Sequence, residues 1–92
     1  MSYYCYILES IPTGKYYIGS CADNQHRLDQ HNKGYAKSTK NDRPWKQVHL
    51  EIFDSLKQAR HRELQIKRWH SRKAIERLIK LGGKIEDPRP RP

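Results

Sequence analysis

The chain has 92 residues, with 19 Lys and Arg against 10 Asp and Glu and a formal net charge of +9. That length holds one small domain, and no stretch approaches the roughly 20 consecutive apolar residues that a membrane helix needs. The six Tyr, two Trp and one Phe are more than a disordered basic tail keeps, while the excess positive charge makes a field that attracts polyanions, nucleic acid first and an anionic membrane surface second.

A domain of this size buries only about 60 to 65% of its unfolded surface, so its core is modest and leaves little apolar material for a deep small-molecule cavity. Two cysteines, Cys5 and Cys21, are too few for a disulfide scaffold. They read as partly buried thiols in a reducing compartment. Met1 to Leu8 carries no basic leader, and a cytoplasmic location is expected.

Residues 3–9, YYCYILE, are aromatic and β-branched and read as a strand. Ile11-Pro12-Thr13-Gly14 is a turn, and 15–20, KYYIGS, is the returning strand. If paired positions sum to 23, Tyr6 and Tyr17 stand directly opposite each other on one face, with Cys5, Ile7, Ile18 and Tyr16 on the other; an even sum separates the two tyrosines. Asp23 can cap a helix from about Asn24 to Asn32 that Lys33-Gly34 ends. This helix is nearly all polar, with Leu28 as its one strong anchor. Residues 35–45 form a basic loop. Lys46 to Phe53 alternates Val48, Leu50 and Ile52 inward with His49 and Glu51 outward, a third strand. Ser55 with Gln58 opens a helix through about His70. Ser71 caps a last helix to about Leu81 with Ala74, Ile75, Leu78 and Ile79 as its apolar stripe. The order is β-β-α-β-α-α. The domain is expected to occupy residues 1–83, followed by a Pro/Arg-rich tail over 84–92.

Glu63 is the most informative position. It falls inside the stripe marked by Leu56, Ala59, Ile66 and Trp69, and a carboxylate aimed at a core should be ion-paired, protonated or bound to a cation. A single inward Glu suits Mg²⁺, which needs few protein ligands and keeps its waters. Arg27 and His31 are four apart and share one helix face. That face is either solvated or phosphate-binding, since Arg offers a planar fork for phosphate oxygens and His can donate or shuttle a proton. Tyr6 and Tyr17 are either ordinary strand packing or, if positive charge lowers a phenol from its usual value of about 10, a source of a base. The five histidines show no zinc spacing, and Trp45 and Trp69 read as packing. The loop residues Lys37, Lys40 and Arg43 and the helix residues Arg60 and Lys67 are either solvated surface or a phosphate track.

Tyr4-Cys5-Tyr6-Ile7-Leu8 and Tyr17-Ile18-Gly19 resemble the two halves of the GIY-YIG nuclease motif, the first degenerate and the second intact. Gln25 to His31 looks like the family's helix with an Arg and a later His, and Ala59 to Lys67 like the helix carrying its metal-binding Glu. The segment from Lys37 to Trp45 is similar to that of small stand-alone bacterial members. The resemblance implies a three-stranded antiparallel sheet flanked by helices, an α+β fold, and metal-dependent hydrolysis of phosphodiester bonds, usually in DNA, with RNA as the alternative. It implies Tyr6 as general base, Tyr17 orienting that base or the phosphate, Arg27 stabilising phosphate charge with His31 assisting, and Glu63 holding Mg²⁺ or Mn²⁺. The chain lacks the first-motif glycine, and no Asn follows Asn41, where some family nucleases use one. The expected function is therefore a DNA endonuclease, structure-selective in repair or recombination. The alternatives are a nucleic-acid-binding module that keeps the nuclease fold with little activity, or a basic adaptor with a protein partner.

Overall fold

The computed structural model describes residues 2–34 and 39–82. Lys37 and the tail over 84–92 lie outside the described residues. Three antiparallel strands, β1 (Tyr3–Ser10), β2 (Tyr16–Cys21) and β3 (Trp45–Phe53), form one sheet in the order β2-β1-β3. The helices are α1 (Asn24–Lys33), α2 (Leu56–Lys67) and α3 (Arg72–Gly82), with a short 3-10 turn at Lys40–Asp42. The fold is the expected α+β arrangement in the expected order.

The most apolar strand, β1, takes the central place because both its faces are covered. Cys5, Ile7, Ile18 and Phe53 face α2, where Ala59 and Ile66 are buried, and Ile75, Leu78 and Ile79 of α3 close over that side. Tyr6, Leu8, Cys21 and Trp45 face the other way, where Leu28 of α1 packs on them with Tyr4, Tyr17 and Leu50. Cys5 and Cys21 thus lie on opposite faces, both buried and unbridged. Burial pushes the Cys5 thiol up to about 12, which makes it an inert core residue.

The β1–β2 register corrects one expectation. Odd pairing holds, so the two tyrosines share a face, but the partners are Tyr6 with Gly19, Ile7 with Ile18 and Leu8 with Tyr17. The strands are shifted by two positions from the expected pairing, which preserves every side chain's face. Ser10 N–H donates to Lys15 O at 2.8 Å, and Gly14, at φ 74°, donates back to Ser10 O at 2.8 Å, closing the hairpin over four residues. This register lays the Tyr6 ring across Gly19. A Cβ at Gly19 would stand 2.5 Å from the Tyr6 hydroxyl oxygen, so only glycine admits the ring.

The orientation of β3 is a second correction. His49 and Glu51, expected outward, are fully buried, while Leu50 and Ile52 are half-buried. Alternation cannot name the outer face of a strand when helices cover both. Glu51 is accommodated because His49 Nε2 lies 2.7 Å from Oε2 and Arg62 of α2 donates to both carboxylate oxygens at 2.8 and 3.1 Å. Burial alone would raise the Glu51 carboxyl, but these bonds from His49 and Arg62 hold it below its ordinary value.

The helix ends follow the sequence signals. Asp23 Oδ1 accepts from His26 N–H at 3.1 Å, and Gly34 closes α1 at φ 83°. Ser55 Oγ accepts from Gln58 N–H, and Gln58 Oε1 accepts from Asp54 N–H, both at 3.2 Å. Ser71 Oγ accepts from Ala74 N–H at 3.2 Å. α2 stops at Lys67, three residues earlier than expected, because the chain turns through His70 at φ 46° to start α3.

Candidate active site

Tyr6 projects from the middle of β1, where Gly19 leaves room for its ring. Its hydroxyl is 3.1 Å from Nε2 of His31, which comes from the last turn of α1 and is 1% exposed. Leu28 anchors α1 on this face of the sheet, which brings the otherwise polar helix close enough for the contact. His31 Nδ1 is 2.8 Å from the hydroxyl of Thr39, itself fully buried. Trp45 Nε1–H donates to Thr39 O at 2.8 Å, and Asn32 bonds both backbone groups of Trp45, at 2.6 and 3.1 Å. α1, the 3-10 turn and β3 are thereby tied around the imidazole. Tyr17 completes the cluster, with its ring centroid 4.8 Å from His31 and 6.4 Å from Tyr6.

Glu63 reaches the site from α2, on the other side of the edge strand β2. Its Oε1 accepts from Ser20 Oγ at 2.6 Å, and its Oε2 accepts from Lys67 Nζ at 2.6 Å. Glu63 is not the core-facing carboxylate of the sequence reading. Its side chain is 19% exposed at the helix margin, and the fully buried carboxylate is Glu51. The reason is geometric. Ala59 and Ile66 take the face toward the sheet, and Glu63 lies beside that stripe, over Ser20.

Tyr6, Tyr17, Gly19, Ser20, Arg27, Arg60 and Glu63 line one open polar cleft of about 290 Å³. Four of the five expected catalytic residues therefore converge, and the fifth, His31, stands behind Tyr6 on its hydroxyl. Arg60, expected to be a nucleic-acid contact, lies in the cleft wall. Lys40 and Arg43 are exposed outside that lining, and the Arg43 guanidinium rests against Gly34. Lys67 is engaged by Glu63.

The electrostatics are those of a water-poor corner. Burial, with Tyr17 adding to it, raises the Tyr6 phenol well above its ordinary value, and Arg27 opposes this only in part. Positive charge therefore acts in the expected direction, but desolvation outweighs it. Burial also lowers the His31 imidazole, with Arg27 adding to the effect, so His31 is neutral at physiological pH. A neutral imidazole with one nitrogen on a phenol and the other on a hydroxyl can take up the phenol proton.

The donor set at Glu63 fits a hard cation. One ammonium already sits on Oε2 at 2.6 Å, so the carboxylate is accessible to positive groups. Among the described residues no group of three or more His, Cys, Asp or Glu is placed to hold a metal. A cation at Glu63 would therefore keep most of its water shell, as Mg²⁺ does.

Comparison with known families settles the kinship: the model of the GIY-YIG catalytic domain matches residues 2–76. The chain belongs to the GIY-YIG family. A UPF0213 protein of Syntrophus aciditrophicus is 46% identical over 79 residues, covering 84% of this chain and 88% of its own length. A UPF0213 protein of Staphylococcus saprophyticus is 37% identical over 81 residues, 87% of this chain and 96% of the relative. The solution structure of a UPF0213 protein from Bacillus halodurans superposes with a TM-score of 0.58 at 34% identity, covering 91% of this chain and 88% of that one. The GIY-YIG domain is a nuclease fold, its substrate class is nucleic acid, and its nucleases generally use divalent metals. Among the described residues no helix is long and apolar enough to cross a membrane.

Within the GIY-YIG frame, sequence reasoning missed Ser20, Thr39 and the His49–Glu51–Arg62 network. Ser20 carried a usable signal, a hydroxyl directly after Gly19 on the face that Cys5 and Ile18 share. Thr39 carried none, because it sits in a loop without periodicity.

Proposed function

We propose that the chain is a divalent-metal-dependent endonuclease that hydrolyses phosphodiester bonds in DNA. The observation that carries this reading is the convergence of Tyr6, Tyr17, Arg27 and Glu63 on one polar cleft, with His31 hydrogen-bonded to Tyr6 from behind. Glu63 would hold Mg²⁺ or Mn²⁺, and such an ion supplies Lewis-acid stabilisation of the charge that develops on the phosphate and the leaving oxygen.

The remaining work falls to the chain. In the tautomer with its proton on Nδ1, donated to Thr39, His31 presents Nε2 as an acceptor to the Tyr6 O–H. Tyr6 passes its proton to His31 and takes one from water, which attacks phosphorus as the P–O bond to the leaving oxygen breaks. The phenol is restored and His31 is left as imidazolium, while solvent protonates the leaving oxygen. A raised phenol and a lowered imidazole both disfavour a standing phenolate–imidazolium pair, so the proton moves in concert with attack on phosphorus, through an acceptor that already touches the phenol. Tyr17 orients Tyr6 and the phosphate. Arg27 and Arg60 face the scissile phosphate with fixed positive charge, which is worth most where water is excluded. Lys40, Arg43 and Lys67 extend the positive surface along the backbone, and a substrate held this way binds through phosphates and shape rather than base edges. That favours a structure-selective role in DNA repair or recombination in the cytoplasm, with any protein partner adding selectivity.

The test is cleavage of labelled single-stranded, duplex, flap and four-way-junction DNA, and matched RNA, with Mg²⁺ or Mn²⁺, for the wild type and Glu63→Gln. Metal-dependent cutting that falls at least about 10²-fold in Glu63→Gln supports the proposal. Cutting that persists in Glu63→Gln sinks the site assignment. Salt-sensitive binding without any cutting would favour a binding module on the nuclease fold.

A further inference from the structure

Two carboxylates, Glu51 and Glu63, are paired with cationic side chains of α2 in different ways. Glu51 is fully buried and gripped through both oxygens by the planar fork of Arg62. Glu63 is held by two unlike groups, the Ser20 hydroxyl on Oε1 and the Lys67 ammonium on Oε2. Lys67 is the last residue of α2, four positions after Glu63, and its side chain is 47% exposed. A Glu followed at i+4 by Lys is the favourable order on a helix, and a cation in the last turn suits the helix dipole. An ammonium on a flexible stem is a point charge that leaves more easily than a bidentate guanidinium. The first pair is built to stay, and the second to exchange.

We propose that the Lys67 ammonium is the resting counter-ion of Glu63, and that a divalent cation enters the site by exchange for it. This rests on the reading of Glu63 as the cation-holding carboxylate and adds what sets the affinity there. The ammonium takes up one face of Oε2, and a positive charge left beside the site repels a doubly charged ion. Ser20 remains on Oε1 and keeps the carboxylate aimed into the cleft when Lys67 swings out. Lys67 thereby shields the carboxylate when metal is scarce and is released toward solvent when metal is bound.

The exchange predicts that removing the cationic group at this position tightens cation binding far more than removing one on the same helix outside the cleft. Mn²⁺ binding to the full chain, without nucleic acid and at low ionic strength, can be read by electron paramagnetic resonance. Lys67→Met keeps the aliphatic stem and should bind Mn²⁺ on the order of threefold to tenfold more tightly than the wild type. Lys67→Arg, which can grip both oxygens, should bind no more tightly than the wild type. Lys57→Met, the same charge change on the same helix, should stay within about twofold of the wild type. Urea unfolding of each variant confirms that the fold is retained. Equal or weaker Mn²⁺ binding in Lys67→Met, with binding lost in Glu63→Gln, overturns the exchange while leaving the metal reading intact. Equal tightening in Lys57→Met also overturns it, because net charge then explains the effect. Mn²⁺ binding unaffected by Glu63→Gln removes the metal site itself and the exchange with it.

Discussion

The two faces of the sheet solve the same problem, burying polar groups beside β1, with opposite results. On the α2 face, His49 and Arg62 clamp Glu51 from two elements, with Glu51 fully buried, lowered in pKa and bonded through both oxygens. The Arg62 guanidinium also lies over the Trp69 ring at 5.6 Å, which ties the end of α2 to the sheet. On the α1 face, Tyr6, His31 and Thr39 form a chain that begins at the cleft lining and runs inward. Its members are pushed toward their neutral forms, the phenol upward and the imidazole downward. A carboxylate gripped through both oxygens by a guanidinium fixes helix position, whereas a neutral chain whose first member lines the cleft is placed to move a proton. The difference teaches that burial of polar groups does not mark a site by itself; what marks it here is a member that lines the cleft.

Removing one group from each face separates these roles. Tyr6→Phe keeps the ring over Gly19 and deletes only the O–H on His31. We expect kcat for phosphodiester cleavage to fall about 10²- to 10⁴-fold, the usual contribution of a positioned base, while stability changes by only about 1 kcal/mol for one lost hydrogen bond. Single-turnover kinetics beside urea unfolding would check it, and near-wild-type cleavage would remove Tyr6 from the chemistry. Glu51→Ala should do the reverse. It strands a buried His49 and a partly buried Arg62, and breaking such a set costs about 3 kcal/mol, read as a lower urea midpoint. Any loss of activity should then follow the folded fraction and the position of α2. A variant as stable as the wild type would show that Glu51 is not the anchor of that helix.

The same contrast explains what was legible in the sequence. The elements and their order were readable because capping residues and apolar periodicity are local: Asp23, Ser55, Gly34 and Ser71 act where they stand. The convergence of Tyr6, Tyr17, Arg27 and Glu63 was readable through the family motif and the odd hairpin parity. The two-residue shift in register was not, because both registers give the same faces, and only the fit of the Tyr6 ring on Gly19 chooses between them. The buried Glu51 was read as outward because a strand covered on both faces has no polar side. Thr39 is a tertiary partner supplied by a loop, and nothing near it in the sequence specifies His31.

The smallest expected effect is also the most direct test of the Tyr6–His31–Thr39 chain. The folded protein holds the His31 imidazole below its ordinary value of 6.5, through burial and then Arg27, whereas the unfolded chain releases it to that value. On acidification the unfolded state therefore binds the proton first, so stability rises with pH in this range. The contribution of neutral His31 is complete above about pH 6.5 and is lost as pH falls through 6.5 toward the lowered folded value. Glu51, also lowered, acts in a separate window beginning only below its ordinary 4.5, so the two faces titrate apart. Urea midpoints between pH 8 and 5 should show a shallow decline in the wild type that flattens in His31→Gln, since Gln removes the titrating ring but keeps a polar group toward Tyr6. The rate of cleavage should carry an acid limb in that same region below pH 6.5, where His31 can no longer accept the phenol proton. A limb that stays in place when His31 is replaced would assign the titration elsewhere and leave Tyr6 without its proton acceptor.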